Sequence, residues 1–328
     1  MGGEPPPPLH LQPQLQRHDS MKATYDELID RCAGLAPLRT AVVHPVKDTV
    51  IEAVGEAVEE KLIDPVLIGP AARITAALAE AGLPPDRFEI VETAHSHAAA
   101  EKAAEMAAAG QVGAIMKGSL HTDELLGAIV SSRSGLRTEK RVSHAFLMLT
   151  EDYPRPFIIT DAAVNIAPEL AEKADIVANA VTLWRVLWGP ASPKVAILAA
   201  VETVSPKMQA TLDAAALCKM ADRGQIADAV IDGPLAFDNA VSAEAAREKG
   251  IASPVAGQAD ILLVPDIESG NMLAKQLVFI GGADAAGLVL GARVPVILTS
   301  RADSIRARLL STALAVLMAE ARAMGQVK

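Results

Sequence analysis

Cysteine is nearly absent from this chain, which has only Cys32 and Cys218 among 328 residues. Neither lies in a Cys-x-x-Cys pair or near a histidine in sequence, which argues against a disulfide framework or a zinc site. An inert, buried thiol is the usual state of such an isolated cysteine. Because disulfides persist mainly in oxidising compartments, this composition predicts a cytoplasmic protein.

Long apolar runs and excess basic charge are also lacking. No stretch approaches the roughly 18 apolar residues that a membrane span requires. Lys plus Arg number 30 and Asp plus Glu number 40, so the formal net charge is −10. An acidic protein repels nucleic acid and anionic membranes, and we expect neither as a partner. A phosphorylated substrate must therefore be held by local basic groups.

Several familiar catalytic motifs are missing as well. The glycines Gly281, Gly282 and Gly287 precede a predicted strand, whereas the dinucleotide fingerprint follows one. There is no Gly-x-x-x-x-Gly-Lys loop and no Gly-x-Ser-x-Gly elbow. His95 and His97 are two apart on a predicted helix, so their side chains diverge and cannot share a metal on one face. We expect no bound metal or cofactor, and a nucleophile that arrives with the substrates.

What the chain does contain is a regular alternation of short apolar runs and amphipathic segments from residue 22 onwards. This alternation predicts an α/β fold of doubly wound, Rossmann-like parallel sheets, and the length suggests two domains. Residues 1–21, rich in Pro and Gln, are expected to be a disordered extension. The main predicted strands are Thr40–His44, Pro65–Gly69, Phe88–Val91, Val112–Met116, Ala145–Leu149, Phe157–Thr160, Lys194–Ala199, Ala229–Asp232 and Asp260–Val264.

The segment 270–304 is the most informative part of the chain. Its apolar runs at 289–290 and 294–298 are predicted to be buried parallel strands. The loop that follows holds Ser300, Arg301 and Asp303. Ligands bind at the carboxyl ends of strands in such sheets, and a helix N-terminus with an arginine suits a phosphate. The alternative is that Ser300 only caps the next helix, with Asp303 as a capping-box acid.

A second strand-end loop contains Lys117, Gly118, Ser119, His121 and Thr122, directly before a predicted helix. Gly118 and Ser119 would let backbone N–H groups approach an anion, and Lys117 would supply charge. The alternative is an ordinary turn with a solvated lysine, since the motif is not a phosphate-binding P-loop.

A basic segment follows this loop and contains Arg133, Arg137, Lys140 and Arg141. In an acidic protein, such a cluster beside a proposed anion site predicts a role in substrate binding. Arg137 and Arg141 are the candidates to reach a phosphate opposite Ser300 and Arg301. The alternative is a solvated loop, which is what most charge runs are.

Three motifs resemble the phosphate acetyltransferase/phosphate butyryltransferase family: MKGSLHTDELL at 116–126, VPDIESGNMLAKQL at 264–277 and GADAAGLVLGARVPVILTSRADS at 282–304. The resemblance runs from about residue 22 to the C-terminus. It implies transfer of a short acyl group between coenzyme A and inorganic phosphate by a homodimer. It also implies two α/β domains around a cleft, as in isocitrate and isopropylmalate dehydrogenases. These domains would be residues 22–152 with 299–328, and residues 153–298.

The resemblance also implies roles for individual residues. Arg301 would bind the phosphate, Ser300 would place the thiol or the acyl oxygen, and Asn271 in the second motif would contact substrate. In the acetyltransferase branch, an aspartate proposed as the base for the thiol occupies the position of Ala307 in this chain. Asp303 is therefore the candidate to replace it. The same branch has an arginine where this chain has Leu126. These departures resemble the butyryltransferase branch.

Two other classes of function remain open on the sequence. A two-domain protein of this kind could be a non-catalytic sensor of acyl-CoA or phosphate. An oxidoreductase of the same architecture would need a nicotinamide site and acidic metal ligands at helical spacing, and neither pattern is seen. The sequence does not define the length of the acyl chain.

Overall fold

A computed structural model describes residues 24–151, 153, 155–298 and 303–327. Within them the chain forms one large, mostly parallel sheet covered by helices, which confirms the predicted α/β class. The strands are β1 (Leu38–Val43), β2 (Ile63–Gly69), β3 (Glu89–Glu92), β4 (Ala114–Lys117), β5 (Ser143–Leu149), β6 (Phe157–Thr160), β7 (Lys194–Leu198), β8 (Val230–Leu235), β9 (Ile261–Leu263), β10 (Asp284–Leu290) and β11 (Val296–Ile297).

The helices follow the predicted order, with one correction. The helix predicted at 239–249 is two short helices, because Ser242 has extended backbone angles and its hydroxyl accepts a hydrogen bond from the Ala245 N–H as a new cap. The helices are α1 (24–30), α2 (Asp48–Glu59), α3 (Ala71–Glu80), α4 (Ser96–Ala108), α5 (Thr122–Val130), α6 (Leu170–Trp188), α7 (Gln209–Asp222), α8 (Phe237–Val241), α9 (Ala243–Glu248), α10 (Ile267–Phe279) and α11 (Ile305–Ala323).

The strand order is β3-β2-β1-β4-β11-β10-β5-β6-β9-β7-β8. Pairing is parallel from β3 to β11 and again from β6 to β8, but β11–β10, β10–β5 and β5–β6 are antiparallel. The prediction of parallel strands is therefore wrong for 289–290, because β10 is antiparallel to both of its neighbours, but within 294–298 β11 does pair parallel with β4. The connection from Leu290 to Val296 is too short for a parallel crossover, which needs about a dozen residues or more.

Alternating residues of the strands feed separate cores on the two faces of the sheet. On one face a single apolar cluster includes residues of α2, α6, α7 and α11. On the other face, α4 and α5 cover the strands around β1 and β4, while α8, α9 and α10 cover those around β6 and β9. These last two clusters are separate, and between them Phe146 of β5 and Ala285 of β10 are only half-buried.

No helix within the described ranges is both long enough and apolar enough to cross a membrane.

Candidate active site

The loop after β4 is held tightly against the end of β1. A Cβ at Gly118 would lie 2.2 Å from the Val43 carbonyl oxygen, so only glycine fits there. The Ser119 N–H donates to the His44 carbonyl oxygen at 3.0 Å. The sequence suggested that these two residues expose N–H groups to an anion. The Ser119 N–H therefore already has a protein acceptor. Gly118 serves backbone packing, and the approach of its N–H to an anion stays a prediction.

The same loop leads directly into α5. His121 occupies the N-cap position without a side-chain cap, and Thr122 is the first helical residue. Glu124 in the first turn accepts a hydrogen bond from the Ser96 hydroxyl at 2.6 Å, and this bond, ahead of the nearby His97, lowers the pKa of Glu124 below its usual value. The acidic first turn suits the helix dipole but competes with any anion for this N-terminus.

The loop after β11 contains the family's expected catalytic pair. Ser300 and Arg301 lie outside the described residues, so their predicted roles stay predictions. Asp303 is half-buried, and the next residue, Ser304, is the N-cap of α11, its hydroxyl accepting from the Ala307 N–H at 3.1 Å. The alternative in which Ser300 caps this helix is therefore wrong.

The basic segment borders a pocket of about 630 Å³ between α5 and the start of α6. Arg137 and Arg141 line this pocket, whereas Arg133 does not. The backbone of Arg137 also forms an isolated antiparallel bridge with Ala292. The lining combines both signs of charge with apolar helix residues. It consists of Asp123, Leu126, Gly127, Val130, Arg137, Thr138, Glu139, Lys140, Arg141, Val142, Val164, Asn165, Ala171, Glu172 and Asp175.

Arg141 is held on two sides of its guanidinium. Its Nε donates to Asn165 Oδ1 at 2.8 Å, and Nη1 lies 2.9 Å from Glu172 Oε1. Its backbone N–H donates to Asp175 Oδ2, so the start of β5 is also fixed. The side chain remains 53% exposed despite these contacts. Because its guanidinium is already held, Arg141 would lose little conformational freedom on binding a ligand in this pocket.

A buried carboxylate organises the loop after β6. Asp161 is only 2% exposed, and its Oδ1 accepts from the N–H groups of Ala163 and Val164. Its Oδ2 accepts from the His144 N–H and from both the backbone and the side chain of Asn165, the last at 2.6 Å. This satisfies the buried charge and fixes the loop that contacts Arg141.

Asn271, the candidate from the second motif, is joined to the same loop. It lies on α10, and its Nδ2 donates to the Ala162 carbonyl oxygen at 3.1 Å. The structure thus connects two predicted site residues, Asn271 and Arg141, through residues 161–165. In the sequence, Asp161 and Asn165 stand out only because they follow the predicted strand Phe157–Thr160, and this position is the available signal for them.

The predicted residues fall into two groups along the central strands. The loops after β4 and β11 leave the same edge of the sheet, because these strands are parallel neighbours. Strand β10 lies between β5 and β11 and shows how far apart their ends are. Arg141 lies just before Ser143 of β5, which pairs with Leu290 of β10. The end of β11 lies beside Gly287 of the same strand. At about 3.3 Å per residue, these ends are about 10 Å apart along the strand direction, and the two strand spacings from β11 through β10 to β5 add about 5 Å each across the sheet. An extended substrate can bridge this span. That Arg137 and Arg141 face Arg301 stays a prediction.

Two buried histidines lie close to these loops. His144 is 1% exposed, and burial lowers its pKa from 6.5 to about 4, although Asp161 opposes the shift. Burial, and then Arg73, also lower the pKa of His44. Both rings are therefore neutral near pH 7.

Among the residues that the structure describes, no three His, Cys, Asp or Glu side chains are grouped to hold a metal ion. Burial raises the pKa of both thiols, Cys32 and Cys218, to about 11, so neither is an activated nucleophile.

Comparison with known proteins gives a match of residues 96–316 to the model of the phosphate acetyl/butaryl transferase family. This range covers more than half of the chain. The chain belongs to this family. A protein of Rhizobium meliloti named phosphate acetyltransferase is 54% identical over 311 residues, covering 95% of this chain and 98% of that protein.

Relatives in both branches of the family match this chain. A protein of Clostridium acetobutylicum named phosphate butyryltransferase is 41% identical, covering 91% of this chain and 99% of that protein. The crystal structure of a branched-chain phosphotransacylase from Enterococcus faecalis V583 is 30% identical with a TM-score of 0.74, covering 86% and 99% of the two chains. The predicted family is confirmed, but these identities favour the acetyltransferase branch over the butyryltransferase branch.

Ala307, at the position of the family's expected aspartate, is 8% exposed in the first turn of α11. Leu126, at the position of the expected arginine, lines the pocket beside Arg141. The arginine expected at this position is thus replaced by the apolar side chain of Leu126, next to the guanidinium of Arg141.

Proposed function

We propose that this chain is a phosphate acyltransferase that transfers a short acyl group, acetyl or butyryl, between coenzyme A and inorganic phosphate. The observation that carries this proposal is the family match over residues 96–316, because that range contains every candidate site residue from Lys117 to Asp303. Two features of the structure support the proposal. One is the pocket beside Arg141 with its basic side chains. The other is that, among the described residues, there is no activated thiol.

In the proposed reaction, a phosphate oxygen attacks the carbonyl carbon of the thioester. A C–O bond forms, the C–S bond breaks, and the thiolate leaves and takes up a proton. Arg301 and Arg141 would hold the phosphate, while Ser300 would orient the acyl oxygen or the thiol. Fixed cations favour this step because they are already oriented when negative charge develops on the carbonyl oxygen. Asp303 is the candidate proton carrier.

The substrate would span the two groups of residues described above. Lys117 and the loop to Thr122, with Ser300 and Arg301, would contact the reacting end. Arg137, Arg141 and the 630 Å³ pocket would hold phosphate groups of coenzyme A or the free phosphate. Coenzyme A is a substrate in this proposal, and no resident cofactor is invoked.

We also propose the finer architecture that the family resemblance implies. Residues 22–152 with 299–328 would form one domain and residues 153–298 the other, in the manner of isocitrate dehydrogenase. The two separate apolar clusters on one face of the sheet, and the reversal of strand direction between them, support this division. Substrate would bind in the cleft above β5 and β10.

A homodimer is the proposed assembly, and a cytoplasmic setting fits the two unpaired thiols. Helix α10 and its end leave Met272, Phe279 and Ile280 exposed at 66%, 68% and 81%. A second copy of the chain would cover this apolar face. Light scattering should give twice the mass of one chain, and Phe279→Asp with Ile280→Asp should give the monomer.

The test of function is a thiol-release assay with acetyl-CoA and butyryl-CoA, with and without phosphate. Phosphate-dependent release, with kcat/KM compared between the two substrates, is the expected result. Binding of acyl-CoA without release from either substrate would favour a ligand sensor instead.

A further inference from the structure

The amide of Asn165 has one possible orientation. Its Nδ2 donates to Asp161 Oδ2 at 2.6 Å and to the Val142 carbonyl oxygen at 2.9 Å. Both partners are acceptors only, so the nitrogen must face them and Oδ1 must face the Nε of Arg141, at 2.8 Å. The side chain is 3% exposed, which leaves it no room to rotate.

Asp161 is what makes this orientation rigid. Its carboxylate accepts five hydrogen bonds, all from residue 144 or from its own loop. A charge buried at 2% exposure is tolerated only with such full satisfaction. The loop therefore has one low-energy conformation, and Asn165 is a fixed part of it.

The fixed Asn165 in turn restricts the side chain of Arg141, which lines the pocket. Asn165 holds Nε and Glu172 holds Nη1, so the plane of the guanidinium is defined. Its Nη2 has no hydrogen-bond partner among the residues that the structure describes. A guanidinium with a fixed plane and a free Nη2 suits an oxyanion, because the direction of this donor is set before binding.

We propose that Asn165 is a positioning residue that holds the Arg141 guanidinium in the plane required to bind the phosphate of the substrate, with Asp161 fixing Asn165 in turn. This inference rests on the proposed acyltransferase function. It adds a residue that does not touch the substrate and acts only through Arg141. A merely structural Asn165 would stabilise the loop and leave substrate affinity unchanged.

The test is a double-mutant cycle between residues 165 and 141, read as KM for phosphate and as kcat in the thiol-release assay. Asn165→Ala should raise KM for phosphate about 3- to 10-fold, the effect of losing one ordinary hydrogen bond, because Arg141 keeps its ion pair with Glu172. Arg141→Ala should raise it more. The double variant should match Arg141→Ala alone, because Asn165 then has nothing to position.

Loss of Asn165 will also weaken the loop, so a second variant separates the two roles. Asn165→Ser retains a hydroxyl that can donate to Asp161 but is too short to reach Arg141. It should unfold closer to the wild-type temperature than Asn165→Ala and still show the raised KM. Asn239→Ala removes another fully buried asparagine, on α8, and is the matched control for stability without a change in KM.

Two results would overturn the inference. The first is an increase in KM for phosphate on Asn165→Ala that is just as large when Arg141 is already alanine. The second is lowered stability with unchanged KM in both Asn165→Ala and Asn165→Ser. If the wild-type chain released no thiol at all, the proposed function would fail by itself. The same cycle would then be measured by calorimetric titration with inorganic phosphate and with coenzyme A, where additive effects or no binding would reject the role of Asn165.

Discussion

The carbonyl oxygen of Val43 occupies the space beside Gly118, 2.2 Å from where a Cβ would lie. Such an overlap is with backbone, so no rotamer change can relieve it. The end of β1 and the loop after β4 must separate before any side chain fits at residue 118. The glycine of the KGS motif is therefore explained by packing between neighbouring strand ends.

Gly118→Ala should destabilise the protein by about 1–3 kcal/mol, the usual effect of overpacking, and should also impair activity because the loop moves. Urea unfolding measures the first effect and thiol release the second. Gly127→Ala is the control, because nothing lies within 4 Å of its Cβ in α5. That change should stabilise by about 0.5–1 kcal/mol through helix propensity. Equal effects of the two variants would contradict the packing explanation.

Lys173 and Asp213 form a buried ion pair, 2.6 Å apart, that joins α6 to α7. Lys173→Ala should destabilise by about 3–5 kcal/mol, because it leaves the Asp213 charge buried without its cation. Lys219→Ala breaks an exposed pair with Asp222, which solvent screens, and should lower the free energy of unfolding far less than Lys173→Ala does. Urea denaturation of both variants measures the difference, and similar losses would show that burial does not matter here.

The sequence was sufficient for the strands but not for their directions. Apolar runs such as 289–290 indicate burial, yet they look alike in parallel and antiparallel pairs. Only the short connection from Leu290 to Val296 shows that these strands form a hairpin. Likewise, Ser300 with Asp303 fits the capping-box spacing better than Ser304 does, but Ser304 is the cap. The spacing of residues in the sequence therefore does not predict at which residue helix α11 begins.

The candidate site was predictable only where basic residues cluster in sequence close to a strand-end loop. Arg141 met that criterion, and it lines the pocket. Asn165 did not, because its role depends on contacts to Val142 and Asp161, which come together only after β5 and β6 pair. The sequence alone does not contain that pairing.

Stability should decrease as the pH falls below about 6.5, in part because of His144. Its folded pKa of about 4 lies below the unfolded value of 6.5, so the unfolded chain takes up this proton first. The contribution is present above pH 6.5 and is lost progressively toward pH 4. It amounts to about 2 kcal/mol between pH 7 and pH 5, at 1.36 kcal/mol per pH unit.

The measurement for His144 is urea unfolding of wild type and His144→Gln at pH 7 and pH 5. The variant should show a smaller loss, although His44, whose pKa is also lowered by burial, still contributes with the same sign. The exposed His121 gives a control in His121→Gln, which should follow the wild type. Identical slopes for wild type and His144→Gln would mean that His144 does not hold this shift.

Arg301→Ala should lower kcat/KM for thiol release at least about 10²-fold, as loss of a preorganised charge contact in a transition state typically does. The folded state should be retained, as checked by thermal unfolding. Arg293→Ala is the matched control, because within the described part of the chain that exposed side chain donates only to the Gly135 carbonyl oxygen. Near-normal turnover in a folded Arg301→Ala protein would remove Arg301 from the chemistry.

The basic segment should matter for substrate capture more than for stability. The net charge of −10 opposes binding of phosphate and coenzyme A, and the pocket lining itself holds four carboxylates, so Arg137, Lys140 and Arg141 must overcome both. Arg137→Ala with Arg141→Ala should raise KM for phosphate or coenzyme A about tenfold or more. The unfolding temperature should change little, because the ion pair of Arg141 with Glu172 is half-exposed.

Salt distinguishes the two arginines of this pair. Arg137 is exposed, so salt screens its charge and the effect of Arg137→Ala should shrink at 1 M salt, where the screening length is about 3 Å. Arg141 would touch the substrate directly, so Arg141→Ala should retain more of its effect. Arg133→Ala, in the same segment but outside the pocket lining, should leave KM unchanged at either salt concentration. If Arg133→Ala raises KM as much as Arg137→Ala does, the segment acts through its summed charge, and contact of Arg137 with the pocket is not what binds the substrate.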